Sequence, residues 1–207
     1  MGDLKTPDTV ALVRGLANLE RHVQNCKVFG LPAVVSINKF VSDTPQEIDI
    51  VVNWCEQQGV KVALCEGWEK GGAGCEDLAH EVVKAVESTT NAYRPLYDWD
   101  MSVQEKIETV ARIIYGAKDI EYLPKAKQNL NKISRIGLEN RPICMAKTQY
   151  SFSDDPKALG KPEKFTLTVR EIEIAAGAGF CVPITGNMLR MPGLPGIPAA
   201  EAMDIAN

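Results

Sequence analysis

The chain has 207 residues, 45% of them hydrophobic and 24% charged, with a formal net charge of −4 at pH 7 and a pI near 5.3. That length allows one sizeable core or two small ones. The charge balance supplies no basic footprint for nucleic acid and no charged run suited to a membrane surface. The longest apolar stretches, such as Leu31 to Ile37, are strand-length, too short to span a bilayer. No apolar segment follows Met1 as a signal peptide would require. Cys26, Cys55, Cys65, Cys75, Cys144 and Cys181 stand far apart without a C-x-x-C and read as the reduced thiols of a cytoplasmic protein. His22 and His80 are the only histidines, which argues against a His-rich metal centre, and against a Ser-His-Asp triad unless one of them serves it.

The first half alternates helix and strand. From about Pro7 to Phe29, Val10, Val13, Leu16, Leu19 and Val23 fall on one helical stripe expected to face the core, and Gly30 stops the helix. Pro32 to Asn38 is a β-branched apolar run, the pattern of a buried strand. Thr44-Pro45-Gln46-Glu47 combines an N-cap, a proline at the first helical position and a capping-box glutamate. The helix it opens turns Ile48, Val51, Val52 and Cys55 inward and ends at Gly59, and a second strand follows from Val60 to Cys65. A helix from about Glu76 to Glu87 is expected to bury Leu78, Ala79, Val82, Val83 and Val86. This order predicts an α/β fold, a parallel sheet flanked by helices, with the strands at Ala33–Ile37 and Lys61–Leu64 side by side and running the same way.

Beyond Thr89 a smaller mixed α+β region is expected, so the chain divides into residues 1–92 and 93–207. Tyr93 to Asp100, aromatic and proline-containing, forms the junction. Ser102-Val103-Gln104-Glu105 is another capping box, opening a helix that runs through Ile107, Val110, Ala111 and Ile114 to Gly116. A further helix runs from Pro124 to Ile136 and ends at Gly137. Arg141 to Lys147 reads as a strand; Phe165 to Arg170 alternates with period two, and so do Phe180, Val182 and Ile184. Thr185 to Pro198 is too rich in proline and glycine for regular structure.

Ligands of open α/β sheets gather beyond the carboxyl ends of the strands. The first strand ends in Asn38-Lys39-Phe40 and the second in Cys65-Glu66-Gly67-Trp68, so Phe40 and Trp68 leave the sheet at one edge. Two aromatic faces there either sandwich a flat heterocycle or simply cover the sheet edge. Asn38-Lys39 is not the start of a guanine-reading N-K-x-D, because the fourth position is Val41. Gly71-Gly72-Ala73-Gly74 precedes a helix, but no G-x-x-x-x-G-K-[ST] occurs, so the loop is no P-loop and reads more simply as a hinge. Gly177-Ala178-Gly179-Phe180 is a weak signal; the path of Met191-Pro192-Gly193-Leu194-Pro195 suits a binding loop or an oligomer contact.

Longer strings say more. Asn18 to His22, Phe29 to Phe40 with Asp43-Thr44, Glu66 to Gly72, Pro142 to Ser151, Gly177 to Phe180 and Met191 to Pro195 resemble formate–tetrahydrofolate ligase, in the family's order and over nearly the whole chain. The resemblance implies a P-loop-NTPase-like first part. It also implies an ATP-dependent C–N ligase that joins formate to N10 of tetrahydrofolate through formyl phosphate. Phe40 and Trp68 would stack on the pterin, Leu64 would line the same pocket, and Met191, Pro192 and Gly193 would lie near the nucleotide. No residue of this chain is implied to be catalytic and no metal ligand is implied.

ATP with magnesium and tetrahydrofolate would be substrates of the parent enzyme, with room for a monovalent cation. The chain itself would need no bound cofactor. Its partners would be these small molecules, an N-terminal catalytic part of the same enzyme and further copies in a homo-oligomer, with neither nucleic acid nor membrane among them. Two departures stand out. Val41 follows Phe40 where many members have proline. The family's P-loop, catalytic lysine and formyl-phosphate arginine find no match in these residues, which points to a C-terminal fragment, inactive alone. A non-catalytic folate-binding or oligomerisation module of the same fold is the alternative.

Overall fold

The computed structural model describes residues 6–88, 92–147, 151–188, 196–198 and 201. It opens with helix α1 (Thr9–Val28), capped by the Asp8 carboxylate, which accepts from the Ala11 N–H at 2.9 Å. Strand β1 (Val34–Asn38) follows, then α2 (Pro45–Gln57), β2 (Lys61–Cys65), the short α3 (Gly67–Lys70), a 3₁₀ turn over Gly71–Cys75 and α4 (Glu76–Ser88). β1 and β2 pair in parallel, Val34 opposite Lys61 and Asn38 opposite Cys65, so the expected pairing is present. The α2 capping box is complete: Glu47 accepts from Thr44 N and Oγ1, and Glu47 N donates to Thr44 Oγ1. α2 ends at Gln57 and Gly59 takes a left-handed φ of +64°, which a glycine adopts without a Cβ penalty.

Two helix faces depart from the expectation of burial. On α1 only Val23 is buried, while Val10 and Val13 are exposed. On α4, Leu78 is half-buried, but Ala79, Val82, Val83 and Val86 face outward. The physical reason is the width of the sheet. Two strands give α2 and α4 little to lie on, and no described element covers the outer face of α4. α1 turns its polar side to the second half: Arg21 Nε and Nη2 donate to the Ile114 and Ile113 carbonyls at 3.1 and 2.9 Å, and Lys161 pairs with Glu20 at 3.1 Å.

The second half holds the main core. α5 (Val103–Thr109) starts at the Ser102–Glu105 capping box and passes into a π turn, Val110–Tyr115, that ends at Gly116. The chain then forms β3 (Asp119–Tyr122), α6 (Pro124–Arg135), β4 (Thr166–Ala175) and β5 (Phe180–Thr185). β3 and β4 are parallel across the α6 crossover, and β4 and β5 are antiparallel. Val103, Ile107, Ala126, Ile133, Val169 and Ile172 pack between this sheet and helices α5 and α6.

β3 went unread in the sequence: Asp119-Ile120-Glu121-Tyr122 is short and half charged, with alternate residues half-buried. β5 does not alternate as expected, because both faces are covered and Cys181 to Thr185 are all buried. Arg141 to Lys147 is no regular strand. It runs beside β5 through two isolated parallel bridges, Ile143 with Cys181 and Ala146 with Ile184. Pro183 sits between them and has no N–H to give, which interrupts the ladder. Gly177-Ala178-Gly179 is the β4–β5 hairpin turn, with Gly179 at φ +79° and its N–H on the Ala175 carbonyl at 2.8 Å. Among the described residues no helix is long and apolar enough to cross a membrane.

Candidate functional site

The carboxyl ends of β1 and β2 carry the residues of interest. Lys39 N donates to the Cys65 carbonyl at 3.0 Å, extending the parallel ladder one step beyond β1. Phe40 follows at once, in a turn closed by Asp43: its carboxylate accepts from Phe40 N at 2.8 Å, and its N–H donates to the Phe40 carbonyl at 3.1 Å. Past β2, Glu66 leads into α3, where Trp68 sits. Phe40 is 51% exposed and Trp68 71%, so both rings stand in solvent at the same edge, as the strand ends predict. Leu64, opposite Ile37 near the end of β2, is half-buried. Met191, Pro192 and Gly193 lie outside the described residues.

An ionic clasp fixes these two turns to each other. Glu66 Oε1 accepts from Lys39 Nζ at 2.7 Å and Glu66 Oε2 from Lys70 Nζ at 2.5 Å. One carboxylate thus joins the residue before Phe40 to the helical turn that holds Trp68. The hydrogen bond from Lys39, then that from Lys70, lowers the Glu66 carboxyl to about 2, and Lys39 is raised in return. The sequence reading passed over this triad. Its signal was an acid and a base placed directly after two adjacent strands.

A folded-state pKa below the ordinary glutamate value of 4.5 means stability present above pH 4.5 and lost as pH falls toward 2. A Glu66→Gln variant is therefore expected to be less stable than the parent at pH 7, with the deficit narrowing between pH 4.5 and 2. Urea unfolding at pH 7 and at pH 3 checks this, and a constant deficit would show that the pair contributes nothing electrostatic.

The glycine loop is folded tightly onto the same edge. Glu66 N donates to the Gly74 carbonyl at 2.9 Å, and a Cβ on Gly74 would lie 2.5 Å from the Glu66 carbonyl oxygen. Glu76 and Asp77 occupy the first turn of α4. They place negative charge at the helix N-terminus that an anion would approach, which disfavours anion binding by the loop. Beneath it the Cys65 and Cys75 sulfurs are 3.5 Å apart.

A second concavity was not anticipated. A cavity of about 330 Å³ opens between the 93–99 segment and the π turn, lined by Phe29, Tyr93, Tyr97, Trp99, Ile114 and Met145 among others. The junction read from its aromatic and proline content is thus one wall of a pocket. Nearby, Lys147 Nζ lies 5.5 Å from the Tyr115 ring and 5.6 Å from that of Phe152, whose other neighbour is His22 at 4.8 Å. Burial, and then the Lys147 charge, lowers the His22 pKa.

The fold and site define an α/β protein with a parallel strand pair whose carboxyl edge presents two exposed aromatic rings on turns clasped by one carboxylate. The family model described as formate–tetrahydrofolate ligase matches residues 1–207, and the chain belongs to that family.

Proposed function

We propose that the chain is the C-terminal part of a formate–tetrahydrofolate ligase and supplies the folate wall of its active site. Phe40 and Trp68 take the pterin between their faces and Leu64 closes the back of the slot. The observation that carries this reading is the exposure of both rings at one carboxyl edge, in a chain of this family. Stacked rings approach to about 3.5–4.0 Å, so a bound pterin needs the two faces roughly twice that distance apart. The clasp through Glu66 is suited to hold the two turns at a fixed spacing, which lowers the ordering cost of binding.

The parent reaction, in this reading, activates formate with ATP as formyl phosphate and passes the formyl group to N10 of tetrahydrofolate. Magnesium-bound ATP and tetrahydrofolate are substrates, and Met191, Pro192 and Gly193 border the nucleotide. Residues 1–92 continue a P-loop-NTPase-like layer begun elsewhere in the enzyme, and residues 93–207 form the smaller region. The parent is cytoplasmic and oligomeric.

The exposed apolar faces of α4 (Val82, Val83, Val86) and of α1 (Val10, Val13) support the fragment reading, since contiguous apolar surface usually has a partner. The N-terminal catalytic part is the partner proposed here. None of the 207 residues forms a G-x-x-x-x-G-K-[ST] cradle, and phosphoryl transfer depends almost wholly on positioned charge around the phosphates.

The chain alone is therefore expected to make no 10-formyltetrahydrofolate from formate, ATP and tetrahydrofolate. Acid conversion of the product to the methenyl form, followed by its absorbance, measures this. Turnover by the purified chain would overturn the assignment of the phosphate chemistry to another segment.

A further inference from the structure

Cys65 and Cys75 stand ten positions apart in sequence and 3.5 Å apart at sulfur. Neither is a buried core thiol: both are half-exposed, whereas Cys55 and Cys181 are fully covered. Cys65 ends β2 and Cys75 ends the 3₁₀ turn that leads into α4, so the two sulfurs sit at the two feet of the loop that carries Trp68. Their neighbours are already joined, because Glu66 N donates to the Gly74 carbonyl at 2.9 Å. The space between the sulfurs is kept open by Gly67. A Cβ there would lie 2.7 Å from Cys75 Sγ and 3.7 Å from Cys65 Sγ.

We propose that Cys65 and Cys75 form an oxidisable dithiol, a modification site at which a peroxide closes an intramolecular disulfide across the base of the Trp68 loop. A disulfide needs about 2.0 Å between sulfurs, so the pair must close by roughly 1.5 Å. With the feet of the loop already hydrogen-bonded, that movement is within reach of side-chain rotation.

The chemistry runs in two balanced steps. The Cys65 thiolate attacks one peroxide oxygen, the O–O bond breaks, and a sulfenic acid forms with release of hydroxide, which takes up the thiol proton as water. The Cys75 sulfur then attacks the sulfenic sulfur, the S–O bond breaks, the Cys75 proton leaves with the oxygen as a second water, and the S–S bond remains. Two electrons pass from the sulfur pair to one peroxide.

Cys65 is the better first nucleophile. The neighbouring Gly67 backbone N–H, then the contact with the Cys75 sulfur, holds its thiol below the ordinary range, while the same contact raises Cys75. A closed disulfide removes the freedom of residues 66–74 to adjust around a ligand. That consequence rests on the reading of Phe40 and Trp68 as a folate slot; the covalent link itself does not.

The test uses the whole chain, treated with hydrogen peroxide at low excess and then quenched with an alkylating agent. Trypsin cuts after Lys61, Lys70 and Lys84, so it separates Cys65, in peptide 62–70, from Cys75, in peptide 71–84. The expected product is these two peptides joined, two hydrogens lighter than their sum, with free thiols falling from six to four per chain. Cys65→Ser and Cys75→Ser each abolish the linked mass, and Gly67→Ala slows its appearance. A chain that keeps six thiols, or whose linkages run chiefly to exposed Cys144 or between molecules, would overturn the proposal. Binding of 5-formyltetrahydrofolate by the oxidised and reduced forms is measured separately. If the reduced chain binds no folate, the slot reading fails while the peptide result still decides the dithiol.

Discussion

Replacing Lys106 by methionine is expected to destabilise the fold by about 3 kcal/mol, because it leaves buried acceptors without a donor. Lys106 is 0% exposed on α5. Its ammonium donates to the carbonyls of Trp99, Asn140 and Arg141 at 2.7, 2.6 and 3.3 Å, and lies 5.5 Å from the Tyr97 ring. One side chain thus ties α5 to the 97–99 segment and to the 140–141 loop, neither of which is helix or strand. Burial lowers the Lys106 pKa, so the charge is held at a cost that the three carbonyls offset. Methionine keeps the length of the stem and removes the donors, which isolates the polar contribution. Urea unfolding at pH 7 measures the loss. Lys84→Met, at a side chain 69% exposed, serves as the control and should stay within about 0.5 kcal/mol of the parent. Equal small effects at both positions would show that the buried ammonium is not a structural hub.

Lys106 also shows where sequence reading stops. It lies on the buried face of α5, three residues after Val103 and one before Ile107, so its spacing points inward while its charge classes it as outward. What makes its burial tolerable is a set of backbone carbonyls from residues 99, 140 and 141, contributed by segments that carry no side-chain pattern. The π turn at Val110–Tyr115 is hidden for a similar reason. Val110, Ala111 and Ile114 keep a helical spacing, and the widening appears only in the backbone, where the Gly116 N–H reaches the Ala111 carbonyl five residues back.

Local signals with their own chemistry were legible. Both capping boxes, the glycine stops after α1, α2 and α6, and the parallel β1–β2 pair each follow from a few adjacent residues. Burial was less so, because it depends on what lies opposite. The α4 stripe is as apolar as a core helix demands, yet within this chain the two-stranded sheet leaves Val82, Val83 and Val86 uncovered. The candidate site falls between these cases. Phe40 and Trp68 could be placed at one edge because each ends a readable strand. The clasp of Lys39, Glu66 and Lys70 needed the register, since Glu66 meets Lys39 only when Asn38 lies opposite Cys65.

In the full-length enzyme, replacing Trp68 by alanine is expected to weaken tetrahydrofolate binding by about 1–3 kcal/mol, the range of stacking losses at single nucleobases, or roughly five- to 150-fold in Kd. The indole is 71% exposed and makes little of the core, so the fold should keep its unfolding midpoint. ATP binding should be nearly unchanged, because the nucleotide is assigned to other residues. Phe40→Ala should produce a loss of similar kind on the opposite face, whereas Trp99→Ala, in the separate aromatic cavity, should not. Equilibrium dialysis of the full-length enzyme against radiolabelled tetrahydrofolate under argon reads all three. A loss at Trp68 and Phe40 with none at Trp99 is the result this account predicts; a Trp68→Ala protein with unchanged folate affinity would contradict it.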